Sequence, residues 1–226
     1  MNETSGGIKD GLSDSERLAL ERHLRQKMLE LNSANNVTPL AFARMQLDIA
    51  EIQVALEHKQ DAWNMAREAF NVALKNESWQ DAVEACNVLY QCEQADSIAA
   101  LGMGVWLAVS FPVDPELTLA MLLHIVDETP NNSDGAALAA VAARYVIDLR
   151  AEDEHHASQA FLADNLIARV AERHSNVRDQ AALIAWMGRL ELRDPQVFLP
   201  RLSQVVDVIV GESWWFERDE LRKKFD

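Results

Sequence analysis

The sequence predicts an all-α protein made of stacked helical hairpins, without a β-sheet. Apolar residues recur at helical spacing along most of the chain, and no stretch shows the sustained alternation that a half-buried strand requires. Turns rich in Asn, Pro, Ser and Gly separate the apolar segments into nine or ten helices. The pattern leaves two arrangements open, an α-solenoid-like stack of hairpins and a compact multi-helix bundle.

The helices are expected to form one domain, residues 13–226. Residues 1–12 are polar and glycine-rich, which predicts a disordered N-terminal segment. Ser13 and Glu16 have the spacing of a capping box, which starts the first helix. Thr38 and Pro39 start the second, because Thr is a favoured N-cap and Pro fits the first helical turn.

The middle of the chain is predicted to be the buried centre of the domain. Residues 97–113 carry no charged side chain, and a helix that is apolar on every side must be covered by others. Gly102 and Gly104 in this segment are interpreted as sites of close helix packing. At 17 residues the segment is shorter than the ~20 residues of a membrane span, and both flanks are acidic. No membrane contact is therefore expected.

Residues 101–127 resemble residues 181–207 when the chain is aligned with itself at an offset of 80. The matching residues are Trp106 with Trp186, Asp114 with Asp194, and Pro115 with Pro195. Each copy reads as a Trp-bearing helix, a turn with a capped Pro, and a second apolar helix. This predicts an internally duplicated hairpin.

A second similarity is to a known repeat family. Trp63, Ala66, Phe70 and Ala73 have the spacing found in the second half of a tetratricopeptide repeat. The segment resembles that family over about one helix, and the residues expected in the preceding helix do not line up. The resemblance implies paired helices in close contact and a role in binding other proteins.

Composition limits the classes of partner. The formal net charge is −15, which disfavours nucleic acid because nucleic-acid binding needs a basic stripe. No Lys or Arg lies between Lys75 and Arg144, whereas ten acids do, so a partner with a basic surface is favoured. Cys86 and Cys92 are interpreted as buried thiols, and a reducing cytoplasm is the expected location.

The aromatic run near the C-terminus is the candidate partner-binding anchor. Trp214, Trp215 and Phe216 fall in a predicted short helix over residues 213–225. Adjacent helical positions differ by about 100°, so all three rings cannot face the same side and some would remain exposed. The acids expected to form or flank the same contact surface are Asp114, Glu116, Asp127 and Glu128.

The sequence contains one group of metal-ligating residue types, Glu152, His155 and His156, in a polar stretch between two helices. His124 lies within an apolar helix and could join them if the chain brought the two segments together. This defines an alternative function, a helical metal-binding protein or enzyme. No phosphate loop, nucleophile elbow or HExxH motif is present.

The leading hypothesis is a non-enzymatic protein–protein interaction module, such as an adaptor, an assembly factor or a chaperone-like protein. It requires no cofactor. A homo-oligomeric scaffold, in which apolar helices pair between chains, is a further alternative. The sequence does not distinguish self-association from the binding of another protein.

Overall fold

The computed structural model describes residues 12–223, except for the side chain of Asp153. The fold is all-α, as predicted, and these residues form eleven helices and no strand. The helices are α1 (Asp14–Ser33), α2 (Pro39–Ala55), α3 (Lys59–Lys75), α4 (Trp79–Gln91), α5 (Ser97–Ser110), α6 (Pro115–Glu128), α7 (Asp134–Arg150), α8 (Asp153–Ser175), α9 (Gln180–Arg189), α10 (Pro195–Val210) and α11 (Arg218–Arg222). Most of the predicted disordered segment, residues 1–11, lies outside the described residues.

Local capping signals explain where several helices begin. The backbone amide of Ser13 donates to Glu16 at 2.9 Å, and the Ser13 hydroxyl accepts from the Glu16 amide, so the predicted capping box is confirmed. Thr38 caps α2 in the same way, with Pro39 at the first helical position. Such caps satisfy backbone amides that have no partner inside the helix.

Tight turns with glutamate in the left-handed backbone region join several helices. Glu57, Glu77, Glu93 and Glu191 have φ values of 62°, 57°, 52° and 56°. A non-glycine residue pays about 1–2 kcal/mol for this conformation. The turns reverse the chain within a few residues, and those at Glu57, Glu77 and Glu93 place α3, α4 and α5 each against the helix before it.

The helices stack in two alternating layers. Each helix from α1 to α8 contacts the next, and α2, α4, α6 and α8 also contact one another in sequence, which makes them one layer. The helices α3, α5 and α7 form the other layer, here called the inner layer. On its side lies α10, which contacts both α5 and α7. The chain therefore returns after α9 to cover its own inner layer.

Helix α5 is the centre of the core, as predicted. Every residue from 99 to 108 is buried. A β-carbon on Gly102 would lie 2.5 Å from Val210, and one on Gly104 would lie 2.6 Å from the β-carbon of Cys86. The two glycines thus allow α10 and α4 to approach α5 closely, which confirms the packing interpretation. Within the described residues, no helix is long and apolar enough to cross a membrane.

The C-terminal end of α5 is closed by a side chain from α7. The guanidinium of Arg150 donates to the carbonyls of Ala108 and Val109 at 2.7 and 2.8 Å, and to that of Val113 at 3.3 Å. The carbonyls of Ala108 and Val109 lie in the last turn of α5, where partners within the helix are no longer available, and that of Val113 lies just after the helix. Burial lowers the pKa of Arg150 from its ordinary value.

The two segments of the predicted duplication share their caps but pack differently. Asp114 and Asp194 each accept a hydrogen bond from an amide in the first turn of the helix that follows. In the first segment α5 packs on α6, whereas α10 in the second packs on α5 and α7. The duplication itself stays a prediction.

The predicted helix over residues 213–225 is wrong in its first half. Helix α10 ends at Val210, and Gly211 follows with a φ of 58° and a ψ of −128°, a backbone conformation suited to glycine. Residues 212–217 are irregular, and α11 begins only at Arg218. Because the aromatic run is not helical, its three rings are free to point to the same side.

Candidate functional site

The aromatic run packs onto the inner layer. Residues 211–223 are called the C-terminal segment below. The Trp215 ring lies edge-on to Trp63 of α3 at a centroid distance of 6.1 Å, and to Phe70 at 5.5 Å. Phe216 lies 5.6 Å from Trp106 of α5, and Trp214 lies 6.2 Å from the same ring. All three rings are half-buried, so they are contact residues of this chain's own groove.

Guanidinium groups extend this contact. Arg67 of α3 stacks over the Trp215 ring at 4.0 Å, and Arg218 stacks over Trp214 at 3.9 Å. Cation–π pairs of this kind are attractive because the ring face is electronegative. The surface under the C-terminal segment is called the aromatic groove, and it is formed by Trp63, Arg67, Phe70 and Trp106.

Two of the predicted contact acids have structural roles at the start of α6. The Asp114 carboxylate accepts from the amides of Glu116 and Leu117 at 2.8 and 3.2 Å, which caps the helix. The Glu116 carboxylate accepts from the side-chain amide of Gln159 on α8 at 3.0 Å. Both acids therefore connect parts of the fold.

The other two predicted acids lie at the opposite end of α6. Asp127 and Glu128 are eleven or more residues after Glu116, which corresponds to about 16 Å along the helix axis. The structure does not bring the two pairs of acids together, and the aromatic run lies elsewhere, on the inner layer. The predicted contact surface is thus divided among three places.

Glu128 lines an open groove of about 560 Å³ along the edge of the stack where the turns after α2 and α4 lie. The groove is formed by the turns after α2 and α4 and by the last turn of α6. It is called the acidic groove, and its lining includes Val54, Glu57, Lys59, Tyr90, Glu93, Ser97, Ile98 and Glu128. Ile98 is 41% exposed, although the ten residues that follow it in α5 are all buried.

The acidic groove keeps a net negative charge. Its one ammonium, Lys59, lies 2.6 Å from a carboxylate oxygen of Glu93 and 3.2 Å from one of Glu57. The hydrogen bond to Glu93 raises the pKa of Lys59, so this cation stays charged. Tyr90 donates to Glu128 at 2.6 Å, and burial together with this bond raises the pKa of Tyr90. Three carboxylates thus face one cation and one phenol.

Much of the remaining acidic stretch is neutralised by cations from other helices. Arg44 of α2 pairs with Asp81 at 3.2 Å and also with Glu84. Arg201 of α10 pairs with Asp134 at 3.1 Å, and Arg169 of α8 lies 3.7 Å from Asp127. The sequence window without Lys or Arg is therefore not an uninterrupted acidic surface.

The histidines of the alternative function lie apart. The His124 ring is 3.1 Å from the Asn87 side chain and packs on Tyr90, and burial lowers its pKa. His156 contacts Asp148 at 2.9 Å, whereas Glu152 and His155 are exposed. In the described part of the chain, no three His, Cys, Asp or Glu side chains are grouped so that they could hold a metal ion.

Both cysteines are buried and free. Burial raises the pKa of Cys86, and it raises that of Cys92 to about 11. The thiols are therefore protonated at neutral pH and are poor nucleophiles. This agrees with their interpretation as small buried side chains.

The site residues that the sequence analysis missed come from turns and from the helix ends beside them. Glu57, Lys59 and Glu93 lie at the ends of two hairpins, and Tyr90 and Ile98 each project from a helix with a mostly buried face. Helical periodicity identifies buried faces, but it does not indicate which turns meet.

In comparisons with known proteins, no family model, no curated protein and no solved structure matches this chain.

Proposed function

We propose that the protein is a non-enzymatic protein–protein interaction module, of the adaptor, assembly-factor or chaperone-like kind, and that it binds a basic segment of its partner in the acidic groove. The observation that carries the proposal is the combination of Glu57, Glu93 and Glu128 with the exposed side chain of Ile98 in one groove. Carboxylates attract a basic segment, and an apolar side chain among them favours a segment that also carries an apolar residue.

The arrangement of the turns supports this proposal. Helical stacks present residues from successive turns as one continuous surface, and each helix pair holds its turn in a fixed position. The groove is therefore preformed. Fewer side chains and loops have to become ordered when a partner binds, so the entropic cost of binding is smaller. An acidic, partly apolar groove is suited to binding a segment that carries both basic and apolar side chains.

Site-specific photo-crosslinking tests the proposal. A photoreactive amino acid replaces Ile98 in one variant and Ile184 in the control, since Ile184 is also exposed, at 48%, but lies on α9. We expect a specific adduct from native lysate at position 98 that disappears as salt is raised, because exposed charge pairs are screened. The same adduct at position 184 would contradict the proposal.

A charge-matched pair of variants separates the groove from overall charge. Glu57→Gln, Glu93→Gln and Glu128→Gln remove the groove carboxylates, whereas Glu30→Gln, Glu154→Gln and Glu212→Gln remove three exposed acids elsewhere. We expect the first variant to lose the adduct by about tenfold or more and the second to keep it. Equal losses would show that binding depends on net charge alone.

A further inference from the structure

We propose that the C-terminal segment is an exchangeable ligand of the aromatic groove, and that two copies of this chain can associate by exchanging it when the chain is at about millimolar concentration or when the turn at Gly211 is disfavoured. The groove has a known occupant, because the segment of the same chain fills it. A second copy carries the identical segment, so exchange requires no new interface. This surface is distinct from the acidic groove.

The contacts between segment and groove are made by side chains. Trp215 contacts Trp63, Phe70 and Arg67, and the rings of Trp214 and Phe216 contact Trp106. The hydrogen bonds of the described residues 211–223 run within the segment or back to α10. No backbone pairing therefore has to be broken along the groove when the segment leaves it.

The burial of the rings also fits a separable contact. Trp214, Trp215 and Phe216 are half-buried, whereas Trp186 in the core is 1% exposed. The helix that follows them, α11, has only five residues. Of the segment's described residues, Leu221 alone is classed as buried, at 9% exposure. The segment therefore contacts the rest of the fold through partly buried side chains on its surface.

The hinge for exchange is Gly211. Its φ of 58° directs the chain from the end of α10 back onto the groove, and nothing lies within 4 Å of the position that a β-carbon would take. An alanine there meets no steric contact and acts only through the backbone. It disfavours the returning turn and leaves an extended hinge free of strain.

The effective concentration of the tethered segment at its own groove determines the oligomeric state expected of the natural chain. A segment held by a short linker competes with the same segment from another copy at about millimolar effective concentration. We therefore expect the natural chain to be monomeric at micromolar concentration. Alanine at position 211 makes the returning turn about tenfold less favourable in each of the two chains. The dissociation constant of the exchanged dimer then falls about 100-fold, from about 1 mM to about 10 μM.

The first test measures the mass of Gly211→Ala by light scattering between about 10 and 200 μM. Its matched control is Gly188→Ala, because Gly188 also has open space around it but lies within helix α9. We expect dimers for Gly211→Ala only. Dimers that persist after Trp214→Ala, Trp215→Ala and Phe216→Ala are added would show that another surface is used and would overturn the proposal.

The second test uses a synthetic peptide of residues 211–223 as the probe. We expect it to bind the full chain carrying the three alanine substitutions at least about 100-fold more tightly than the natural chain, whose groove is occupied. A peptide with Trp215→Ala is the control. No binding to a variant that still unfolds cooperatively would show that the segment is not a ligand. Peptide binding with a monomeric Gly211→Ala would leave a foreign protein as the occupant and overturn exchange between copies.

Discussion

The indole nitrogen of Trp186 donates to Nδ1 of His174 at 3.2 Å, and Nε2 of the same imidazole lies 3.2 Å from Asp134. Asp134 also pairs with Arg201. The chain of contacts joins α9 to α8, α7 and α10.

We expect Trp186→Phe to lower the free energy of unfolding by about 1–3 kcal/mol, because it removes the hydrogen bond from the indole to His174 and shrinks a core ring. Trp79→Phe is the control, since that ring is half-buried and stacks on Phe111 at 3.8 Å. Urea unfolding at neutral pH gives both values. An equal or smaller loss at position 186 would refute a role for the hydrogen bond.

Gly102→Ala is expected to destabilise the protein by about 1–3 kcal/mol, because the added methyl group would overlap Val210 and force α10 away from α5. Gly188→Ala should instead stabilise it by about 0.5–1 kcal/mol, since its methyl group meets nothing and alanine is the better helix former. In thermal unfolding, the Tm of Gly102→Ala should fall below that of the natural chain and the Tm of Gly188→Ala should rise above it. A neutral Gly102→Ala would mean that α10 packs less closely than described.

His124 should make the protein less stable in acid. Burial lowers its pKa below the ordinary 6.5, so the unfolded chain binds the proton more readily than the folded one. Its contribution to stability is therefore complete above pH 6.5 and declines as the pH falls below that value. We expect His124→Gln to reduce the loss of stability between pH 7 and pH 5, as measured by urea unfolding. An unchanged pH dependence would exclude His124 as its source.

Arg150→Met should destabilise the protein by about 2–4 kcal/mol, because it keeps the aliphatic stem and leaves the carbonyls of Ala108 and Val109 without the guanidinium. Arg150→Lys should recover only part of this loss, since an ammonium lacks the planar fork that reaches two carbonyls together. Urea unfolding again supplies the values. Full recovery by lysine would show that charge alone matters at this helix end.

The parts of the fold that depend on local signals could be predicted from the sequence. The capping box at Ser13 and Glu16 and the burial of α5 follow from short-range spacing and from continuous apolarity. The path after α10 could not be predicted, because it depends on the backbone of Gly211 and on rings that contact α3 about 150 residues earlier. Two positions that suggested a helix, Trp214 and Trp215, lie in an irregular stretch because those contacts outweigh helical preference.

The candidate site was predictable only in part. Glu128 was identified from the acidic stretch, and it lines the acidic groove. Its neighbours Lys59 and Tyr90 come from other helices, and no periodic signal relates them to it. Asp114 was also predicted to be a contact residue because of its charge. In the structure its carboxylate instead caps α6.

Helix α10 also has a consequence for synthesis of the chain. Pro195, its first residue, follows Ser97, the first residue of α5, by 98 positions. At translation rates of about 5–20 residues per second, α5, the most apolar of the described helices, is completed some 5–20 s before α10, which covers part of it. During that interval the nascent chain exposes a hydrophobic surface that the finished protein hides. The side of α5 that α10 covers in the finished fold is therefore the part of the chain most prone to aggregation during synthesis.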